Sequence, residues 1–460
     1  HGTGDMGPDE FRKAAVDVAG RVADYLERIE DHAVLPDVRP GEVKARIPAS
    51  PPTSPEPLSA FLDDITRWVQ PNITHWQHPG FMAYFPSVAS GPGIHGEWLA
   101  AGLNSNVMFW RNAPSSTEVE ERTVEWLRSM FGLPDAFDGM FTDTASVSSL
   151  LAIVAARHAV PGLDSRERGL AGRPDIGPLR LYMSTEAHCS IEKGAIVAGI
   201  GKQGVRRVAC DDAYRMDPDA LAAAIREDRA AGWTPFCVVA TLGTTSSTSI
   251  DPAAAIADVC QRERLWLHVD AAYGGAMTIV PEFREPFAGW ERADSIVVNP
   301  HKWMWTPFDA SLLLFRDRDL FRDAFSIVPE YIRTPDTGGV HNFNEYGIQL
   351  GRRFRALKLW IMIRYFGVDG FARRIREHVA RARALRARIE AEPGWQLLAP
   401  TPMALLCCRY VPERYRGLED DPDAAREIDS VNEAILDAVN RDGRIYLSHT
   451  RLGDRYTIRI

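Results

Sequence analysis

The stretch IVVNPHKW, residues 296–303, decides the fold more than any other part of this 460-residue chain. It begins as a short apolar strand, and Asn299-Pro300 ends the strand because proline cannot donate to a sheet ladder. Lys302 follows between a histidine and a tryptophan. Such surroundings desolvate an ammonium, lower its pKa and prepare the neutral amine for Schiff-base chemistry. The alternative for a lone lysine is a surface residue in a loop.

The stretch LWLHVDAAYGG, residues 265–275, predicts a second strand, and this one ends in an acid, Asp270. A carboxylate there could pair with a protonated pyridine nitrogen and keep such a ring an effective electron sink. The small residues that follow let a flat ring approach the backbone. Taken by itself, Asp270 could equally cap the next helix.

Short apolar runs alternate with helical segments from about residue 91 to residue 360. Four runs have the composition of parallel strands covered on both faces: Leu179–Met183, Cys237–Thr241, Leu265–Val269 and Ser295–Val298. The alternation predicts an α/β sheet with a ligand at the carboxyl ends of its strands. Thr117-Glu118-Val119-Glu120 resembles a capping box that opens a further helix.

Two more stretches carry polar groups between a predicted strand and a helix. DTASVSS, residues 143–149, precedes a helix predicted over Leu150–Arg157. Free N–H groups and hydroxyls at a helix start form a phosphate cradle, and N-capping would explain one hydroxyl but hardly four. In EAHCS, residues 186–190, His188 could lie over a pyridine face and orient a substrate carboxylate, although a lone histidine is more often structural.

The two ends of the chain have a different pattern from the middle. Amphipathic helices are predicted over Pro8–Asp31 and about Ser59–Val69, joined by a proline-rich extended connector. They bury little alone, so we expect a second subunit to cover them. The last hundred residues predict an α+β unit: a helix over Phe371–Glu392, a strand over Met403–Tyr410, a helix near Ser430–Asn440 and a hairpin turning at Gly453-Asp454.

We therefore divide the chain into an N-terminal helical, dimerising segment (residues 1–90), a large α/β domain (91–360) and a small α+β domain (361–460). The net charge of −9 and the lack of a long basic run exclude nucleic acid and anionic membranes as partners. Six cysteines without a C-x-x-C pair favour a reducing cytoplasm, and we predict no metal site. The chain ends at Ile460 inside a predicted strand, which leaves open whether natural residues follow.

Together these stretches resemble the group II pyridoxal-5′-phosphate (PLP) decarboxylases of fold type I, in particular the aromatic-L-amino-acid decarboxylases. The matching motifs are NPHKW at 299–303, HVDAAY at 268–273, TLGTT at 241–245, THWQHPGF at 74–81, AYFPS at 83–87 and GRRFRALKLW at 351–360. The resemblance extends from about Phe11 to Ile460. It implies a PLP-dependent transferase-like α/β domain with a mostly parallel seven-stranded sheet.

The resemblance also implies a role for individual residues. Lys302 would hold PLP as a Schiff base, Asp270 would pair with the pyridine nitrogen, His188 would stack on the ring, and Ala272 would pack on its other face. The further cofactor-binding residues implied are Thr144, Ala145, Ser146, Asn299 and His301 around the phosphate and Thr245 beside the ring. Many relatives begin the phosphate loop with Gly-Ser-Ala-Ser, whereas DTAS here keeps only the hydroxyl character.

For the substrate, the resemblance implies an aromatic-rich pocket formed by Trp76, Tyr84, Phe85, Pro86 and Ser87. Asn106 and Met108 would reach in from the other subunit of a homodimer that shares its active sites. Gly351 occupies a position where glycine accompanies room for an indole in plant relatives. The side chains of Asn106, Arg111 and Asn112 are more polar than those of animal relatives, which leaves the preferred substrate open.

The chemistry implied is decarboxylation of an aromatic L-amino acid (tryptophan, phenylalanine, tyrosine or dihydroxyphenylalanine) to an arylalkylamine and CO2 through a quinonoid intermediate. Residues 328–331, VPEY, match the family's mobile catalytic loop, and the resemblance implies that Tyr331 would protonate the substrate carbon. Relatives with phenylalanine there produce an aldehyde. The alternatives are an aromatic aldehyde synthase, a decarboxylase of a non-aromatic amino acid such as histidine or an acidic one, and a non-catalytic protein, which would have lost Lys302 or Asp270.

Overall fold

The computed structural model describes residues 5–327 and 340–460. The helices are α1 (Pro8–Glu27), α2 (Leu58–Asp64), α3 (Gly91–Leu103), α4 (Pro114–Met130), α5 (Ala145–His158), α6 (Ser165–Arg168), α7 (Cys189–Val197), α8 (Pro218–Ala230), α9 (Ala253–Glu263), α10 (Arg318–Phe325), α11 (Ala356–Ala391) and α12 (Pro422–Asp442). The strands are β1 (Asp138–Thr142), β2 (Leu179–Ser184), β3 (Val205–Val208), β4 (Thr234–Thr241), β5 (Trp266–Asp270), β6 (Ser295–Val298), β7 (Ser311–Phe315), β8 (Trp395–Leu397), β9 (Cys407–Tyr410), β10 (Ser448–Leu452) and β11 (Arg455–Arg459).

A seven-stranded sheet in the order β1-β7-β6-β5-β4-β2-β3 forms the centre of the molecule. Only β7 runs antiparallel to its neighbours, so the predicted mostly parallel α/β fold is confirmed. Every residue of β5, β6 and β7 is buried, as expected for strands covered on both faces. Thr241, Asp270 and Val297 are register partners, so the carboxyl ends of β4, β5 and β6 meet at one edge.

The predicted capping box is wrong. Helix α4 begins at Pro114, which leaves Thr117 inside the helix, where its buried hydroxyl lacks a hydrogen-bond partner among the described residues. Proline suits the first helical position because its missing N–H is not needed there. Glu120 does not cap either, since its buried carboxylate accepts from Phe141 N and pairs with Arg352. Glu120 therefore serves a buried ion pair rather than the end of the helix.

The last hundred residues form a second, antiparallel sheet in the order β10-β11-β9-β8, with α12 packed against it. The hairpin that turns at Gly453 is confirmed. Helix α11 begins at Ala356, well before the predicted start, and breaks at Gly367, whose φ of 64° suits a residue without a Cβ. Since α11 passes through residue 361, the limits of the three predicted domains stay predictions.

The N-terminal helices lie on the outside of the molecule. Neither α1 nor α2 has a buried residue, and Phe11 on the predicted stripe of α1 is 57% exposed. Arg21 of α1 pairs with Asp63 of α2 at 2.9 Å, which joins the two helices without burying them. All six cysteines are free thiols. In the described ranges, no helix combines the length and apolar character needed to cross a membrane.

Candidate active site

Lys302 lies in a tight loop at the carboxyl edge of the central sheet. Its backbone N–H donates to Asn299 O at 3.0 Å, and Asn299 N donates to Ala272 O at 3.0 Å, so the loop is fastened to the end of β5. The amine lies 5.1 Å from the centroid of the Phe85 ring. Burial and the charge of Arg459 lower the pKa of Lys302, against the opposing effect of Asp270. The amine is therefore biased toward its neutral, nucleophilic form.

Asp270 is the last residue of β5, and its carboxylate is buried. Its Oδ1 accepts a hydrogen bond from Ala272 N at 3.0 Å. Within the described residues, no lysine, arginine or histidine forms an ion pair with it, although its charge partly opposes the lowering of the pKa of Lys302 and of His188. A buried carboxylate without a close cation is costly unless a positive group fills the space beside it.

His188 is the N-cap residue of α7. Its Nδ1 lies 2.8 Å from Ser190 Oγ and accepts from Ser190 N at 3.2 Å, so in the neutral ring the proton is on Nε2. Burial lowers the pKa of His188; Asp270 opposes this effect, and Lys302 and Lys193 add to it. The histidine is thus held as a neutral donor facing the two charged residues.

Asn299 and His301 follow β6 and supply further polar groups. The buried Oδ1 of Asn299 has no hydrogen-bond partner in the part of the chain that is described. His301 Nδ1 accepts from Ala310 N at 3.1 Å, and mainly burial lowers the pKa of His301 to about 4. His301 is therefore neutral near pH 7. A buried acceptor without a partner indicates a site that a polar ligand completes.

The start of α5 is partly what the sequence predicted. The helix begins at Ala145, five residues before the predicted Leu150, and the N–H groups of Ala145 and Ser146 have no described acceptor. Ser146 is exposed there. The expectation of four cradle hydroxyls is wrong: Ser148 bonds to Ser311 at 2.9 Å, and Ser149 lies 3.1 Å from Nε2 of the buried His268. These two hydroxyls fasten the helix to the sheet.

This set of groups fits a phosphorylated pyridine aldehyde. It combines an amine of lowered pKa, a buried carboxylate without a close cation, a neutral histidine and a helix start with free N–H groups. The amine can bond to the aldehyde, the carboxylate can face the ring nitrogen, and the helix start can bind the phosphate. The residues present therefore suit the cofactor that the sequence resemblance implies.

Three stacked aromatic rings form a wall beside Lys302. Phe85 stacks on Tyr273 with ring centroids 3.9 Å apart, and Tyr273 stacks on Trp303 at 4.7 Å. Tyr84, Phe85, Pro86 and Lys302 are among the residues that line a cavity of about 490 Å³. Two residues of the predicted pocket do not line this cavity: Trp76, which stacks on Phe81 and Tyr84, and Ser87.

The residues that line this cavity do not include three others that the resemblance implied: Asn106, Met108 and Gly351. Asn106 Nδ2 contacts Met108 Sδ at 2.8 Å, and Asn106 Oδ1 accepts from Arg352 N at 2.9 Å. A Cβ added to Gly351 would lie 3.8 Å from Asn106 Nδ2. The three residues therefore form one group within the chain.

Two site residues need separate mention. Thr245 follows β4 and contributes its carbonyl oxygen to Arg459 Nε at 3.0 Å, while Tyr331 lies outside the described residues. Sequence reasoning missed Arg459 and Tyr273. Tyr273 could have been found because it ends the motif HVDAAY, residues 268–273. Arg459 lies in a predicted terminal strand, and no motif there indicated a role in the site.

Comparison with known proteins identifies the relatives of this chain. A family model described as the pyridoxal-dependent decarboxylase conserved domain matches residues 40–411. Phenylacetaldehyde synthase of Arabidopsis thaliana is 35% identical, and aromatic-L-amino-acid decarboxylase of Bos taurus is 36% identical; each alignment covers 99% of this chain and 92% of the relative. The structure of Oryza sativa TDC with PLP and tryptamine superposes with a TM-score of 0.93 at 33% identity, covering 99% of this chain and 94% of that one.

Proposed function

The chain belongs to the pyridoxal-dependent decarboxylase family, and we propose that within this family it converts an aromatic L-amino acid to the corresponding arylalkylamine and CO2. Membership makes it a PLP-dependent decarboxylase. The proposal of an aromatic substrate is supported mainly by the stacked rings beside the Lys302 amine, which are those of Phe85, Tyr273 and Trp303. Stacked rings favour a flat aromatic side chain over an acidic one.

The cofactor supplies an electron-poor ring that stabilises the electron pair left on the substrate carbon when CO2 departs. In this proposal Lys302 would hold the cofactor covalently, and Asp270 would keep the ring nitrogen protonated. His188 and Ala272 would lie on the two sides of the ring. The phosphate would be held by Thr144, Ala145, Ser146, Asn299 and His301, with Thr245 beside the ring.

The chain's own groups then position the substrate. The Nε2–H of neutral His188 orients the carboxylate that is to be lost, and the aromatic wall keeps water away from the reacting carbon. Tyr331 returns a proton to that carbon. Tyr84, Phe85 and Pro86 form the side-chain pocket from one subunit.

We further propose that the protein works as a homodimer in the cytoplasm. Trp76 and Ser87 lie near the pocket, and Asn106, Met108 and Gly351 enter from the partner subunit. Gly351 leaves space for a large ring, so tryptophan belongs in the candidate set with phenylalanine, tyrosine and dihydroxyphenylalanine. The proposed limits of the three domains are residues 1–90, 91–360 and 361–460.

A second candidate function is favoured by one relative. Phenylacetaldehyde synthase aligns over nearly the whole chain. Formation of an aromatic aldehyde is therefore the second candidate reaction for this chain. Tyr331 favours the amine because a phenol can donate a proton to the substrate carbon, whereas phenylalanine cannot.

The test is a product analysis of the holoenzyme with tryptophan, tyrosine, phenylalanine, dihydroxyphenylalanine, histidine and glutamate. We expect amine and CO2 in equal amounts from an aromatic substrate, without hydrogen peroxide. In the presence of dissolved O2 as the oxidant, Tyr331→Phe should shift the products toward aldehyde, CO2, ammonia and hydrogen peroxide. Aldehyde from the parent enzyme would favour the second candidate, and turnover of only histidine or glutamate would overturn the aromatic proposal.

A further inference from the structure

Arg459, in the C-terminal strand β11, is a buried cation in an unusual setting. Among the residues that the structure describes, no carboxylate pairs with its guanidinium, and its Nη2 has no hydrogen-bond partner.

 Only 3% of the Arg459 surface is exposed. Removing an unpaired charge from water destabilises a fold, and an apolar residue of similar size is often tolerated better at such a position. The stability of the sheet therefore does not explain this arginine.

The guanidinium of Arg459 is held by backbone carbonyl groups instead. Its Nη1 donates to Tyr84 O at 2.7 Å, and its Nε donates to Thr245 O at 3.0 Å. Tyr84 has a φ of 52°, a left-handed conformation that a tyrosine adopts only when its surroundings hold it there. Arg459 thus connects the C-terminal sheet to the segment that contains Tyr84 and Phe85, and to the loop after β4.

The same guanidinium and the proposed reactive amine both lie beside the Phe85 ring. Arg459 Cζ is 4.7 Å from the centroid of the Phe85 ring, and Lys302 Nζ is 5.1 Å from that centroid. The charged groups that act on Lys302 are Asp270 on β5 and Arg459 itself, and Lys302 in turn acts on His188 at the start of α7 and on the neighbouring His301. Tyr273 and Cys407 in turn face Arg459. Two like charges beside one ring favour loss of the proton from the amine, since the guanidinium keeps its own.

We propose that Arg459 is a positioning residue for the reaction at Lys302: it fixes Phe85 beside the amine through two backbone carbonyls, and it keeps a positive charge next to that amine. The inference rests on the proposed role of Lys302 and is independent of which aromatic substrate is used. A direct ion pair with the departing carboxylate is disfavoured, because it would stabilise the ground state more than the transition state.

The test compares Arg459→Met and Arg459→Lys with the parent protein. Arg409→Met is the matched control, since Arg409 is a buried arginine of the same sheet that bonds to Gln396 at 3.0 Å. Each protein is freed of cofactor and mixed with pyridoxal 5′-phosphate between pH 6 and pH 10. Borohydride then fixes the imine that has formed on Lys302. The rate of this labelling reports the fraction of Lys302 that is neutral, and it requires no turnover of substrate.

We expect the pH midpoint of labelling to move upward in Arg459→Met and to stay at the parent value in Arg409→Met. Arg459→Lys should keep the parent midpoint, because it retains the charge. It should also lose near-ultraviolet circular dichroism from the aromatic wall, because one ammonium does not reproduce the two-carbonyl geometry.

A folded Arg459→Met with the parent midpoint would overturn the electrostatic part of the proposal. If that variant does not fold, Arg459→Lys provides the test. A dichroism spectrum and a kcat like those of the parent protein would overturn the claim that Arg459 fixes Phe85 beside the amine. Labelling that persists in Lys302→Ala would instead show that the proposed role of Lys302 is wrong, whatever Arg459 does.

Discussion

Asp270 and Asp294 belong to the neighbouring strands β5 and β6 in different ways, because one ends its strand and the other precedes its strand. Asp270 ends β5, at the carboxyl edge, whereas Asp294 directly precedes β6 and accepts a hydrogen bond from Leu267 N at 2.7 Å. Their surroundings therefore give the two carboxylates different tasks. Asp294 joins two strands, and Asp270 is near enough to Lys302 for its charge to affect the pKa of that amine.

We predict that Asp270→Asn loses cofactor at least about tenfold faster than the parent protein, equivalent to roughly 1.4 kcal/mol, because the ring nitrogen loses its charge partner. The rate of turnover should fall as well. Dialysis followed by visible absorbance measures retention. Asp294→Asn is the control and should keep the cofactor; equal retention by both variants would contradict the assignment of Asp270.

At the residue scale, sequence reasoning succeeds where a pattern limits the alternatives. Lys302 and Asp270 each follow a strand of the same parallel sheet, so their meeting at one edge could be predicted. Ser148 and Ser149 could not be separated from true cradle residues, because their partners Ser311 and His268 are distant in sequence. Arg459 gave no signal, since its contacts are backbone carbonyls of two other segments.

At the scale of elements, His341 fastens the chain near residue 340 to the central sheet and to α4. Its Nε2 lies 2.7 Å from Asp138 on β1, and its Nδ1 binds Glu121 on α4. Burial alone would lower the pKa of His341, but the two carboxylates outweigh it and raise the pKa to about 9. The protonated ring therefore links two elements.

The stability that His341 contributes should depend on pH. Because its folded pKa lies above its unfolded value of about 6.5, the contribution is complete below pH 6.5 and is lost as the pH rises through 9. We predict that His341→Gln lowers the free energy of unfolding at pH 6 by at most about 3 kcal/mol and changes it much less at pH 10. Urea unfolding at both pH values measures this. His95→Gln, at an exposed position on α3, is the control, and a loss that is equal at both pH values would contradict the ion-pair account.

The elements themselves were predicted well in the sheet and less well at helix starts. The strand over Ser295–Val298 has the predicted bounds because a continuous apolar run leaves few alternatives. Helices α5 and α11 begin earlier than predicted, since short residues such as Ala145 and the apolar run after Ala356 give no distinct start signal. Glu120 misled the prediction because a buried ion pair and a capping box use the same residue type.

At the scale of the whole molecule, α1 carries apolar side chains that the described chain covers only in part. Val18, which is 37% exposed, belongs to the same stripe as Phe11, whereas Val16 lies off that stripe and is 75% exposed. A partly exposed apolar stripe on an amphipathic helix is typical of a surface that packs against another molecule. A second copy of the chain is the partner that the proposal assigns.

We predict that Val18→Glu weakens the dimer by about 1.5–3 kcal/mol, because a charge would replace a valine that the partner subunit covers. Activity at low protein concentration should fall in parallel, since each site would lack residues from its partner. Sedimentation over a dilution series measures the association. Val16→Glu is the matched control, and identical association of the two variants would count against a dimer built on this stripe.

Covalent attachment of the cofactor to Lys302 is the claim on which the account of the whole molecule depends. The most direct measurement is reduction of the holoenzyme with borohydride, followed by digestion and mass spectrometry of the labelled peptide. We predict a single pyridoxyl group on Lys302. Lys358 is the internal control, because it is buried as well but pairs with Glu97 at 2.6 Å. A label on Lys358 or on any other lysine, with Lys302 unmodified, would contradict the account.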